Sequence, residues 1–233
     1  DCLVTFSPCP FPPLHKARRC YVDKPNEFYE HELSIITKQV QHFCPKCKGS
    51  HDDFKHHECR HRLFYVVIDS LVHTIESFLG RWKCSLCRAT FTAYPEYALP
   101  YKRYVKDVCI SLCEDYVTKD TATYRSITST IGYTTESQNI DERKLERSTV
   151  WRWLGFFGSL KDTLRNAFDI IRQAAPNSTV FRQISSIHPK KYRSDERKIV
   201  LEQAFQLFTA DAKYQGILGH SLFPDLATRC FWS

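Results

Sequence analysis

Two short cysteine pairs constrain this chain more than any other feature of its sequence. FCPKC sets Cys44 and Cys47 two residues apart, and KCSLC repeats that spacing at Cys84 and Cys87. A two-residue spacer lets one tight turn aim both sulfurs at a single ion. Two such knuckles supply four thiolates, which complete a tetrahedral shell for zinc. Residues 48–83 separate the pairs, more than the roughly 15–20 residues of compact double-knuckle sites. That length fits an enlarged hairpin that brings the second knuckle back beside the first. A closed thiolate shell leaves no position for water, so the expected cofactor is one structural Zn2+ ion held by Cys44, Cys47, Cys84 and Cys87. CPKC also has the spacing of a redox dithiol, a chemistry that wants the pair to open a helix after a strand. KGSHDD follows instead, without helical period.

The chain holds eleven cysteines. In a reducing compartment disulfides are disfavoured, and clustered cysteines point to metal. Cys59, with His56, His57 and His61 around it, could replace a ligand or hold a second ion, or the stretch could be an exposed basic loop. Cys109 and Cys113 stand one helical turn apart, the spacing of two core residues. Cys2, Cys9, Cys20 and Cys230 have no recognisable spacing.

A chain of 233 residues with 42% hydrophobic and 14% aromatic content can bury a core as one large or two smaller domains. The formal charge of +7 leans toward a polyanionic partner. No stretch approaches the roughly 18 uninterrupted apolar residues of a membrane span. The opening DCLVTFSPCPFPPLH lacks the charged-then-apolar layout of a signal peptide. The expectation is a soluble, intracellular protein without a membrane partner, cytoplasmic and nucleoid-associated in a prokaryotic setting.

Periodicity organises the rest into an α+β arrangement, a small β zinc ribbon followed by a mainly α-helical domain. Residues 1–43 form a Pro-rich extension ending in a short helix around NEFYEHELSIITKQV. Residues 44–99 form the ribbon, with RLFYVVIDSLVHTIESFLGRWKC rich enough in β-branched and aromatic residues to read as two strands. Residues 100–160 form a helical module. Pro100 suits a first helical position, and Val105, Val108, Cys109, Leu112 and Tyr116 share one helical face. Tyr124, Ile127 and Ile131 line a shorter helix that Gly132 can end, and Ser148 can cap the next. Residues 161–233 form a helical C-terminal region. The helix expected over SLKDTLRNAFDIIRQAA carries Leu160, Leu164, Ala167, Phe168 and Ile171 in register, and a last helix lies around IVLEQAFQLF.

Within residues 100–160, a short helix, a loop and a helix rich in Arg, Ser, Thr and Trp make a helix-turn-helix candidate. Arg147, Ser148, Thr149 and Arg152 would face DNA while Val150, Trp153 or Leu154 anchor the helix. A plain helical hairpin with a polar outer face is the other reading, because TTESQNIDERK makes the loop longer than the usual few residues. Lys102, Arg103 and Arg125 are further candidate contacts. The basic stretch Lys190, Lys191, Arg193, Arg197 and Lys198 could touch phosphate, with salt-dependent affinity, or be a solvated loop and helix start.

RWKCSLCRATFTAYPEYALPYKRY, followed by a helix and then YRSITSTIGY and STVWRWL, resembles the zinc-ribbon plus helix-turn-helix region of bacterial insertion-sequence transposases. It is similar also to stand-alone proteins carried near mobile elements. The shared order is a knuckle, then Thr90, Phe91 and Thr92, then Leu99 and Pro100, then the basic start Tyr101–Tyr104, and the likeness covers residues 44–158. It implies a zinc-containing, sequence-specific protein that binds double-stranded DNA as a regulator or as a targeting or end-recognition factor, with a transposase or other subunit as a further partner. The alternative is an interaction adaptor in a transposition or other nucleic-acid complex, without base readout. Large members continue into a nuclease with three metal-binding acids on a sheet. Here Asp162, Asp169, Asp195, Glu196, Glu202, Asp211 and Asp225 follow Gly158 in segments that read as helices, so no enzyme activity is expected.

Overall fold

The computed structural model describes residues 44–95, 97–133, 145–182 and 187–223, without the side chains of His51, Cys59, Phe78 and Tyr133. The helix expected within residues 1–43, the cysteines at 2, 9, 20 and 230, and most of the polar loop before Leu145 lie outside these residues. The fold is mixed. A long antiparallel hairpin carries the sheet, and five α-helices follow among the described residues.

The hairpin is β1 (Phe54–Ile68) and β2 (Leu71–Cys84), joined by Asp69 and Ser70. Both turn residues have positive φ, 50° and 64°, as a type I′ turn requires for its twist to match that of the strands. β3 (Thr90–Thr92) pairs antiparallel with the far end of β2, Trp82 opposite Phe91. β4 (Gly132–Tyr133) runs parallel to Leu71 and Val72 near the turn.

The chain divides into two compact units. The first contains described residues 44–65 and 74–103. Along β2 its buried residues are odd-numbered at Ile75, Ser77 and Leu79, then even-numbered at Trp82 and Cys84. The inward face therefore changes across Gly80. Phe54 and Phe91 meet edge to face at 4.9 Å beside Trp82 and Ala93. Tyr97 donates to the buried hydroxyl of Ser77 at 2.9 Å, so that hydroxyl has a partner.

The second unit takes the hairpin tip, 66–73, together with everything described from Tyr104 onward. It contains α1 (Lys106–Thr118), α2 (Tyr124–Ser129), α3 (Arg147–Ser159), α4 (Lys161–Ala174) and α5 (Asp195–Leu218). α5 is its axis, burying Leu201, Ala204, Leu207, Phe208, Asp211 and Tyr214 at helical spacing and packing against α1, α3 and α4. Phe157 of α3 meets Phe208 at 5.0 Å and Phe223 at 5.6 Å. Each such ring contributes roughly 1.5–3 kcal/mol by leaving water. Gly158 permits the close crossing of α3 and α5, because a Cβ there would stand 2.4 Å from the Val200 carbonyl oxygen. Ser194 caps α5 by accepting from the Arg197 N–H, and Gly219 ends it at φ 76°.

Several local expectations change. Pro100 does not open a helix. Tyr101 sits at φ 62°, outside the right-handed helical region, and α1 begins at Lys106. Gly132 does not cap α2, whose C-cap is Thr130, but starts β4, where an added Cβ would stand 3.0 Å from Leu71 Cδ2. Ser148 is the second residue of α3, whose cap position is Glu146. The His-rich stretch is not a loop, since residues 54–61 belong to β1. α5 extends well beyond IVLEQAFQLF at both ends, and it joins residues 161–223 to α1 and α3 in one unit.

Candidate metal centre and basic surface

The two knuckles fold as near copies. In each, the first cysteine donates its N–H to the carbonyl five residues on, Cys44 to Gly49 at 3.0 Å and Cys84 to Ala89 at 2.9 Å. The residue after each second cysteine, Lys48 or Arg88, turns the chain at φ 60° or 59°. Ser85 N–H donates to the Asp53 carbonyl at 2.7 Å, tying the second knuckle to the segment that follows the first.

The result brings all four expected ligands together. Cys44 Sγ lies 3.5 Å from Cys87 Sγ, Cys47 Sγ lies 3.6 Å from Cys84 Sγ, and all four sulfurs fall within 4.8 Å of one another. These separations exceed the roughly 2.05 Å of a disulfide and suit four soft ligands around one metal ion. Cys44 and Cys84 are fully buried, Cys87 half-buried and Cys47 exposed. Burial pushes the Cys44 thiol up, but the N–H groups of Cys47 and Lys46 and the neighbouring thiols outweigh it and hold the pKa down to about 7. At Cys47 the Gly49 N–H pulls the pKa down, yet burial and the three surrounding thiols push it up to about 12. One thiolate therefore forms readily and discourages the next, which is the electrostatic deficit a cation relieves.

No second cluster of three or more metal-binding side chains occurs among the described residues. His56 packs its ring against Trp82 at 5.4 Å, and His61 Nε2 lies 3.6 Å from Glu76. Cys59 lies outside the described side chains. Cys109 and Cys113 are buried within α1, and the Cys109 thiol lies 3.5 Å from the Tyr104 carbonyl oxygen.

On α3, Arg147, Ser148 and Arg152 are exposed and Thr149 is half-buried, while Val150, Trp153 and Leu154 are buried. Arg152 donates to Ser148 Oγ at 3.2 Å, one turn back. Between α2 and α3 stand β4 and residues outside the description, so the two helices are not joined by a short turn. Arg125 is exposed on α2. Lys102 and Arg103 belong to the first unit, where the Arg103 guanidinium donates to Tyr65 Oη at 3.5 Å.

The basic stretch divides by direction. Lys190 and Arg193 are exposed, but Lys191 is buried. Its ammonium donates to the Tyr116 and Lys119 carbonyls at the end of α1, where a cation meets the negative end of the helix dipole. Burial holds its pKa below the usual lysine range, with Asp120 opposing. Lys191 thus ties 3-10 turn to helix and does not present its charge to solvent. Sequence reasoning missed what surrounds this stretch, a cleft whose walls come from three separate stretches of the chain, because no local pattern joins residues so far apart. No described helix is long and apolar enough to cross a membrane. Comparison with family models, curated proteins and solved structures finds no match to this chain.

Proposed function

We propose that this chain is a zinc-stabilised protein that binds double-stranded DNA, with α3 as the reading element. Zinc suits the thiolate cluster on distance. A tetrahedral ion with Zn–S bonds of about 2.3 Å requires sulfur separations of about 3.8 Å, close to the 3.5 Å of Cys44–Cys87 and the 3.6 Å of Cys47–Cys84. A four-thiolate shell is closed, so the metal's role here is to hold the knuckles together rather than to activate water.

The observation that carries the DNA reading is the polarity of α3. Arg147, Ser148 and Arg152 stand exposed while Val150 and Leu154 are fully buried, within a chain of formal charge +7. Such a helix can enter a major groove with its first turns against bases and phosphates. The Ser148 hydroxyl pre-orients the Arg152 guanidinium, a donor fork matched to guanine. The resemblance of residues 44–158 to transposase zinc-ribbon and helix-turn-helix regions supports a regulatory or end-recognition role at a mobile element.

The test is anisotropy with labelled duplexes, one of element-end sequence and one random, across a salt series. Arg152→Ala should lose about 1–3 kcal/mol of affinity for the specific duplex while keeping full metal content and helical signal. If the unmodified protein binds neither duplex at physiological salt, the adaptor reading replaces this one.

A further inference from the structure

The second unit contains a cleft of about 900 Å³, at the upper end of the roughly 300–1,000 Å³ typical of small-molecule sites. The turn after α1 and the start of α2 form one wall. Trp151 of α3 and the segment leading into α5 form the other. Lys190, Lys191, Arg193 and Arg197 line it against one carboxylate, Asp120, a formal excess of three positive charges (4 − 1) with His188 neutral.

The cations have different duties. Lys191 is committed to carbonyls at the end of α1. Arg197 lies with its guanidinium 4.6 Å over the Trp151 ring and donates to Tyr124 Oη at 2.8 Å and the Trp151 carbonyl at 3.2 Å. It braces the wall and orients the indole. Lys190 and Arg193 are exposed, and among the described residues neither has a carboxylate in ion-pair range. Trp151 is 51% exposed, although a large apolar ring gains from being covered. Tyr124 and Tyr116 stack at 4.1 Å and 17° and add a second rigid aromatic surface. The rim therefore offers two unpaired cations and an exposed indole.

We propose that this cleft binds a single unpaired nucleotide, its phosphate held by Lys190 and Arg193 and its base stacked against Trp151. Bare phosphate would use the cations but leave most of the volume and the indole unfilled. An acidic peptide would likewise meet the charge without needing a flat aromatic partner. A base paired in a duplex cannot lay its face on Trp151, whereas an unstacked one can, and every base has a face to offer. The same chemistry is supplied by a free mononucleotide or by one residue of a single strand. The inference does not rest on duplex reading by α3.

The test uses the full, zinc-loaded chain and a labelled short single-stranded oligodeoxynucleotide, with anisotropy as the readout. Unlabelled strand, mononucleotide, inorganic phosphate and polyglutamate serve as competitors. Strand binding that mononucleotide displaces assigns the cleft to free nucleotides as well. Strand binding that mononucleotide does not displace assigns it to strands. Trp151→Ala should weaken binding about tenfold, with Trp151→Phe retaining most of the affinity. The exposed pair Lys190→Ala and Arg193→Ala should together weaken it by at least as much, without loss of helical signal. The proposal is overturned if neither strand nor mononucleotide binds, if polyglutamate competes as well as the strand, or if these variants bind like the unmodified protein.

Discussion

The two units of the molecule are held by different means. In the first, four sulfurs within 4.8 Å of one another close the two knuckles, a cluster forms around Trp82 and Phe91 beside them, and Phe64, Ile75, Leu79 and Leu99 are buried farther along. In the second, stabilisation is spread along α5 and through the rings of Phe157, Phe208 and Phe223. With a metal bound as proposed, such a cluster would gather its stabilisation into one ion and fail when one ligand is lost, leaving the remaining thiols crowded and uncompensated. A distributed core loses only what one side chain contributed. The difference predicts that chemistry at the knuckles and sterics in the helices should act on separate halves of the signal.

The largest effect should follow Cys84→Ser. Structural zinc sites bind with apparent free energies of about 10–16 kcal/mol at neutral pH, and Cys84 is a fully buried member of the four-cysteine cluster. Metal content measured after gel filtration should fall to near zero, and amide exchange across β1 and β2 should accelerate while α4 and α5 stay protected. Cys47→Ser, at an exposed ligand, should retain measurable though weaker metal. Equal loss of protection in α5 would mean the two units unfold as one.

Acid should reproduce this selectively. Metal binding displaces thiol protons, so affinity falls as pH falls, by about tenfold per pH unit for each proton released. Between pH 7 and 9 Cys47, pushed up to about 12 in the metal-free site, still carries a proton for the ion to displace. Below about 7 Cys44 adds its own, so the dependence should steepen there. A chelator titration across pH 5.5–8 followed by a metal-sensitive dye checks the slope. A pH-independent release would remove thiolate ligation from the site.

In the helical unit the sharpest steric test is Gly158→Ala. The added carbon would meet the Val200 backbone oxygen at 2.4 Å, and backbone cannot swing aside as a side chain can. Overpacking of this kind costs about 1–3 kcal/mol. The thermal midpoint of the helical signal should drop while metal content remains whole. Retained stability would mean α3 and α5 slide past each other without loss.

The four-cysteine cluster was legible because metal-binding chemistry dictates spacing. Cys-x-x-Cys twice is a geometric requirement written directly into the chain, and the hairpin follows from needing to return. Less legible was anything set by tertiary contact. Residues 54–61 look polar because they alternate His, Lys, Glu and Arg, yet they form half of β1, since a strand with an exposed face tolerates such residues. Pro100 had the right residue type for a helix start, but it is buried beside Tyr97, Ala98 and Leu99, and the chain turns at Tyr101 before α1 begins. Gly132 could have ended a helix; its use is instead the close approach of β4 to Leu71. The inward residues of β2 change parity at Gly80, which defeats a simple period-two reading.

The smallest effect returns to the knuckles, where matching turns place Gly49 in one and Ala89 in the other. Gly49 and Ala89 both accept from the first cysteine of their pair, so the backbone has the same task in each. Gly49 is crowded. A Cβ there would lie 2.9 Å from Leu86 Cδ1, 3.3 Å from Asp53 Oδ2 and 3.4 Å from Cys47 Sγ. Leu86 is 64% exposed, so its end can rotate into solvent, unlike the carbonyl that confronts Gly158. Gly49→Ala should therefore cost about 1 kcal/mol or less, read as a modest rise in metal dissociation rate with full occupancy retained. Adding Leu86→Ala should restore most of the original rate, because the contact under 3 Å is with that methyl. If the double variant still released metal as fast as the single one, the strain would lie at the Asp53 carboxylate, on the segment that leads from the first knuckle into β1.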